Sequence, residues 1–297
     1  MNKKDIGKLM LNCYDDIINN PEKYPDIIFK KVSNIKRECV LKIVDNTTWY
    51  FQYLLNQKYM ILGRKSGTTF MTMYLKENYN LKDSDIIRMN FSHNSHITYL
   101  FAKKLKKEFN VSIDDGWEMS KLVGFLYYGS LIFDRTANKL EKICFLLRNP
   151  FDSIISRKVF EYFVRYDKNT DTDYECHKLN NDEYMQIFTF IKNLKFESVF
   201  NDFCDICNMA SILAINSYNV ILFTNENLHS MKIKDIRKYN KNTAFYYPTI
   251  KNLAIKITPK KLQNYSLKIY NNYICNFNNK SYKIIKIDDL KKDYDEK

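Results

Sequence analysis

Ile61-Leu62-Gly63-Arg64-Lys65-Ser66-Gly67-Thr68-Thr69-Phe70 joins a short apolar run, Lys58 to Gly63, to a segment of helical spacing, TTFMTMYLKENY. A strand that ends in a polar glycine loop and re-enters as a helix presents unpaired first-turn N–H groups and a positive dipole end to an anion. Gly67 permits close backbone approach, the hydroxyls of Ser66, Thr68 and Thr69 add donors, and Lys65 adds a point charge. A nucleotide-hydrolysing loop of the form G-x-x-x-x-G-K-[ST] carries its lysine after the second glycine. Here Lys65 precedes Gly67, and no Gly-Lys-Ser or Gly-Lys-Thr tripeptide occurs in the chain. The stretch therefore reads as a phosphate or sulfate cradle, the alternative being a hydroxyl-capped helix behind a turn glycine.

The same strand-then-helix alternation recurs downstream. DIIRMNFSH (Asp85 to His93) reads as a strand and is followed by the helical HITYLFAKKLKKEF. KICFLLRN (Lys142 to Asn149) is followed by a helix from Asp152 through about Tyr166, and NVILFT (Asn219 to Thr224) follows two further helices. Alternation of this kind implies an α/β fold: a central, mostly parallel sheet flanked by helices on both faces, with ligands at the carboxyl ends of the strands. Upstream, residues 1 to 20 have helical spacing and NPEKYPD (Asn20 to Asp26) breaks them. RECVLKIVDN and TTWYFQYLL are rich in β-branched and aromatic residues and read as strands or a hairpin turning at Asp45-Asn46. Asp167 to Asp182 reads as a surface loop, and YICNFNNKSYKIIKI as a hairpin about Asn278-Asn279.

The chain has 297 residues, 45% of them hydrophobic and 15% aromatic, enough for one domain spanning 1 to 297. Its seven cysteines are scattered, which suits a reducing compartment. The opening MNKKDIGKLMLNCYDDIINN lacks the apolar core of a signal peptide, and no run approaches the roughly 18 apolar residues of a membrane span. A cytoplasmic protein with no membrane span is expected. The formal charge of +13 fits an anionic ligand, although the joint richness in Lys, Asn, Ile and Tyr also suits a base-composition bias of the genome, which raises the lysine count without any functional cause.

A second motif, RNPFDSIIS (Arg148 to Ser156), places an arginine at a strand end and a hydroxyl on the following helix. Together they can grip a phosphate, the arginine through its fork. Lys65 to Phe70 resembles the 5′-phosphosulfate loop of the sulfotransferases, usually written PKSGTTW. Arg148-Asn149-Pro150 with Asp152 and Ser156 resembles their 3′-phosphate motif. The order and the separation of 83 positions (148 minus 65) suit the cytosolic branch.

The resemblance implies 3′-phosphoadenosine 5′-phosphosulfate (PAPS) as donor, PAP as product and no metal. The backbone of Lys65, Ser66, Gly67, Thr68, Thr69 and Phe70 would wrap the 5′-phosphosulfate, with Phe70 toward adenine. Arg148 and Ser156 would hold the 3′-phosphate. Weaker similarity continues through VILFTNENL (Val220 to Leu228), so it covers about residues 58 to 228 and leaves 229 to 297 unassigned. Arg64 stands at the usual proline, Asn225 at a tyrosine and Asn227 at an aspartate, and no Arg-Lys-Gly element follows.

Sulfuryl transfer needs a base for the acceptor proton and a cation for the leaving oxygen. Lys65 can supply the cation. His93, at the end of RMNFSH, resembles the family's catalytic histidine, and an ordinary imidazole suits proton abstraction at neutral pH. His96 is the rival base and Glu77 a substitute, whereas His177 and His229 have no comparable support. Cys204 and Cys207 form a lone C-x-x-C that reads as helix core or, with Cys176-His177, as a zinc site. The aromatic run AFYYP (Ala244 to Pro248) reads as acceptor pocket or core. The expected partner is a small-molecule or glycan acceptor bearing a hydroxyl or amine, not nucleic acid. Against this stand a P-loop kinase and an inactive sulfotransferase-like module that binds nucleic acid or sulfated glycans. Nothing in the sequence marks the oligomeric state.

Overall fold

A computed structural model describes residues 1–63, 66–89, 101, 103–107, 113–165, 175–176, 180–231 and 243–296. Four strands form an all-parallel sheet: β1 (Tyr59–Leu62), β2 (Ile86–Met89), β3 (Lys142–Leu147) and β6 (Val220–Thr224), in the order β2-β1-β3-β6. The short β4 (Val164–Arg165) and β5 (Glu175–Cys176) pair separately and antiparallel.

Side chains alternate across the sheet, as a period of two requires. Met60, Leu62, Ile87, Met89, Ile143, Phe145 and Leu147 enter a large core on one face. Ile61, Ile86, Cys144 and Leu146 enter a smaller one on the other. Helix α4 (Thr68–Tyr79) covers the small face with Met71 and Leu75. The large face is covered by α1 (Lys3–Asn19), α2 (Asp26–Ser33), α3 (Arg37–Leu55) and α5 (Ile113–Phe133), followed by α6 (Pro150–Phe163) and α7 (Asn181–Lys192). Helix α8 (Phe196–Ile215) joins the same layer. After β6 come α9 (Asn225–Ser230), α10 (Thr243–Ile257), α11 (Lys260–Asn278) and α12 (Ile287–Asp295). The α/β architecture expected from the alternation is present, with helices on both faces.

Two local expectations fail, each for a physical reason. Residues 37–55 are one helix, not two strands: Val40, Val44, Thr47, Thr48, Phe51, Leu54 and Leu55 recur at helical spacing and are buried. Tertiary burial along that stripe outweighs the β preference of its valines and threonines. At the expected turn, Asn46 Nδ2 donates to the Lys42 carbonyl, 3.0 Å, and Trp49 Nε1 to the Asn46 carbonyl, 3.0 Å. Residues 260–278 are likewise helix, and Asn279 to Lys286 form no strand. Leu262, Tyr265, Ser266, Ile269, Tyr270, Tyr273 and Phe277 make a buried stripe there. Of the expected loop from Asp167 to Asp182, residues 175–176 pair as β5 and 180–182 lead into α7, whose capping box pairs Asn180 with Glu183; the rest lies outside the described residues.

Among the described residues one helix, Phe196–Ile215, is long and apolar enough to cross a membrane, and 67% of its apolar window is buried inside the protein. Cys204 and Cys207 lie on it. Burial, then Asp205, pushes the Cys204 thiol up to about 12. Burial, then Cys204, pushes Cys207 well above the usual thiol range. No group of three or more metal-ligating side chains occurs among the described residues, and both cysteines pack as core.

Candidate anion-binding site

β1 lies between β2 and β3, so the chain leaves β1 to one side through α4 and later returns to the other. The carboxyl ends of β1 and β3 therefore flank the point where the strand order reverses, the crevice in which open α/β sheets bind ligands. Leu62 pairs with Phe145. One residue further on, Gly63 lies so close to Leu146 that a Cβ there would stand 2.9 Å from the Leu146 carbonyl oxygen and 2.5 Å from Ser66 Oγ.

The loop after β1 is built around two such close approaches. Gly67 is left-handed, φ 98° and ψ 27°, and a Cβ on it would lie 2.8 Å from Leu228 Cδ1 of α9. No side chain among the described residues caps α4. Its first backbone bond runs from Met71 N–H to the Gly67 carbonyl, 2.9 Å, which leaves the amides of Thr68, Thr69 and Phe70 without intrahelical acceptors. Ser66 is 3% exposed, and its Oγ has no hydrogen-bond partner among the described residues. A buried hydroxyl without a partner costs about 1–3 kcal/mol. An anion on the first turn of α4 would remove that cost and meet amides that have no intrahelical acceptor.

The sequence-derived residues fall as follows. Ser66, Gly67, Thr68 and Thr69 form the loop and first turn. Phe70 is half-buried and packs against the small core. Arg148 leaves the end of β3, half-buried, with its Nε enclosed. Ser156 is half-buried on α6, about 9 Å along the axis from Pro150. Glu77 is exposed on α4, about 13 Å along the axis from Thr68, which puts it far from the loop for a base. His229 is exposed, with Nε2 3.1 Å from Asn225 Nδ2. Arg64, Lys65, His93, His96 and His177 lie outside the described residues, and so do the side chains of Ala244 to Tyr247.

The Arg148 loop carries supports that single-sequence reading did not find. Asn149 is the N-cap of α6, with its Oδ1 accepting from Phe151 N–H at 2.9 Å and its carbonyl from Ser153 N–H at 2.9 Å. Ser266 of α11 joins the same cap. Asp152 pairs with Lys251 of α10 at 2.9 Å, and Arg157 with Asp202 of α8 at 2.8 Å. The signal for Ser266 was its place on the buried stripe of residues 260–278, where a small hydroxyl among aromatics needs a polar partner.

The third loop, after β6, is closed by a capping box. Thr224 N–H donates to Asn227 Oδ1 at 2.9 Å, and Asn227 N–H to Thr224 Oγ1 at 3.4 Å. An amide oxygen at position 227 accepts that bond as a carboxylate would. The Glu226 carboxyl is held below its usual range by backbone N–H bonding first and by the Thr224 hydroxyl next, with Tyr270 and His229 adding to this. No family model, curated protein or solved structure matches the chain.

Proposed function

We propose that the protein is a sulfotransferase that uses PAPS to sulfate a hydroxyl or amine. The observation that carries the reading is the pairing of two features at one switch point. The buried, unpartnered Ser66 Oγ lies beside the uncapped first turn of α4, and Arg148 leaves the adjacent strand. The residues present suit a doubly anionic nucleotide, because a buried hydroxyl without a partner among the described residues stands at the first turn of α4, where negative charge is favoured, and a cation leaves the end of the neighbouring strand. The motif order Lys65 to Phe70, then Arg148 to Ser156, supports PAPS over ATP, since the chain lacks the Gly-Lys-Ser/Thr that a P-loop kinase uses.

PAPS, when bound, supplies an activated sulfuryl group on a phosphate that departs as PAP. In this reading Ser66 Oγ and the amides of Thr68 to Phe70 donate to the 5′ anion and fix its orientation. Lys65 offsets the charge growing on the phosphate oxygen as the sulfur–oxygen bond breaks. Arg148 and Ser156 hold the 3′-phosphate, and His93 takes the proton from the attacking hydroxyl or amine.

The test is transfer of radiolabelled sulfuryl from PAPS to a panel of phenols, sterols, sugars, amines and peptides. The reading expects transfer to at least one class. Lys65→Ala should lose more turnover than PAP affinity, and His93→Ala should keep PAP affinity while losing roughly 100-fold or more in turnover. PAP binding without transfer to any acceptor would point to a binding module. A turnover defect that moves to His96→Ala would reassign the base.

A further inference from the structure

Two hydroxyls one turn apart on the buried stripe of α11 each reach a different loop at the carboxyl end of the sheet. Ser266 is fully buried; its Oγ donates to Asn149 Oδ1 at 2.7 Å and accepts from Phe151 N–H at 3.0 Å. The Phe151 amide is shared with Asn149 Oδ1, so three groups close a ring of bonds directly after Arg148. Four residues on, Tyr270 Oη donates to Glu226 Oε2 at 3.3 Å. Glu226 lies in the first turn of α9, and Leu228 of α9 is the side chain packed over Gly67. Helix α11 thus touches the Arg148 loop directly and the Gly67 loop through α9. Both contacts come from one face of a helix that also packs on the sheet through Tyr273 and Phe277 against Phe145, at ring separations of 6.1 and 5.6 Å.

We propose that Ser266 and Tyr270 are positioning residues, through which the C-terminal helix latches the two anion loops in one relative placement. Ser266 sets where Arg148 leaves the sheet, and Tyr270 sets the wall behind Gly67. The inference rests on the donor reading above. Two loops that grip opposite ends of one nucleotide must be held in register, because a misplacement of about 1 Å already weakens such a grip. A helix bonded to both loops supplies that register, whereas buried hydroxyls that serve stability alone have no reason to reach both.

The experiment is calorimetric titration of the full chain with PAP and with adenosine 5′-phosphosulfate, which lacks the 3′-phosphate, well below each variant's melting temperature. Ser266→Ala should weaken PAP about tenfold and adenosine 5′-phosphosulfate less than about twofold. Tyr270→Phe should weaken both by a similar factor of about three, because the Gly67 loop serves the 5′ group common to them. Ser266→Thr, which keeps the hydroxyl, should bind PAP within about threefold of wild type. Equal losses for both ligands in Ser266→Ala, or unchanged affinities in both variants, overturn the latch. If Ser266→Ala does not fold, Tyr270→Phe carries the test, since it removes one hydroxyl and no packing. A wild type that binds neither ligand fails the donor reading instead, and hydrogen exchange then decides the latch. Faster exchange at residues 151–153 in Ser266→Ala and at 225–228 in Tyr270→Phe supports it, and unchanged exchange overturns it.

Discussion

Substituting Gly67 by alanine tests the loop geometry on which the site depends. The residue has φ 98°, and an added Cβ would stand 2.8 Å from Leu228 Cδ1. Holding an L-residue in the left-handed region costs about 1–2 kcal/mol. The contact falls well inside the roughly 3.5–4.0 Å at which carbons attract, and the struck atom is the end of a leucine side chain, so relief by a small shift adds about 1 kcal/mol. Gly67→Ala should therefore destabilise by about 2–3 kcal/mol. Leu228 is 6% exposed, and Leu228→Ala alone should cost about 2–4 kcal/mol. In the double variant the collision is gone while the backbone strain stays, so its cost should fall short of the sum by about 1 kcal/mol. Urea unfolding of the four proteins, with m unchanged, reads this coupling directly. Strictly additive losses would refute the packing of α9 over Gly67, and a neutral Gly67→Ala would refute the left-handed cap itself.

Gly63→Ala should be costlier, about 3 kcal/mol or more by urea unfolding, because its Cβ would stand 2.9 Å from the Leu146 carbonyl oxygen, a backbone atom that cannot rotate away. The Glu226 carboxyl is held low in the folded protein. Its stabilising share is therefore present above the unfolded value, roughly 4.3, and is lost as pH falls through the folded one. Glu226→Gln should flatten the drop in urea midpoint on acidification between about pH 5 and pH 3, and an unchanged drop would remove Glu226 from the account. Cys204 and Cys207, buried and with raised pKa, should resist alkylation in the native state and react on unfolding, while the exposed Cys39 and Cys275 react first. Rapid native labelling of Cys207, read by mass spectrometry, would contradict its place in the core.

The parallel sheet was legible because its strands are short apolar runs ended by polar loops: Tyr59 to Leu62 stops at Gly63, and Lys142 to Leu147 stops at Arg148. The glycine turn was legible because its geometry is local, with Gly67 left-handed at the head of α4. Helix α3 was misread because its buried stripe is interleaved with the half-buried Ile43, Asn46 and Trp49, which blur the period, while its valines, threonines and aromatics carry the β-rich composition. Helix α5 is not announced by periodicity, since Leu122, Val123, Phe125, Leu126, Tyr127, Tyr128 and Leu131 bury most of its circumference. Helix α11 hides its core stripe in tyrosines, whose rings bury while their hydroxyls look polar in a sequence. A hydroxyl among aromatics signals that Ser266 needs a polar partner, but the partners of Ser266 and Tyr270 were out of reach, since each contact joins residues far apart in the chain, to Asn149 and to Glu226.

What the paired loops hold decides the function of the protein. Titration of the wild-type chain with PAP and, separately, with ATP under identical salt and pH measures this most directly. PAP should bind at least about tenfold more tightly than ATP, and Arg148→Ala should erase most of that preference by removing the 3′-phosphate grip. Equal affinity for PAP and ATP, or a preference that survives Arg148→Ala, would contradict the assignment of the two loops to opposite ends of one 3′-phosphorylated nucleotide.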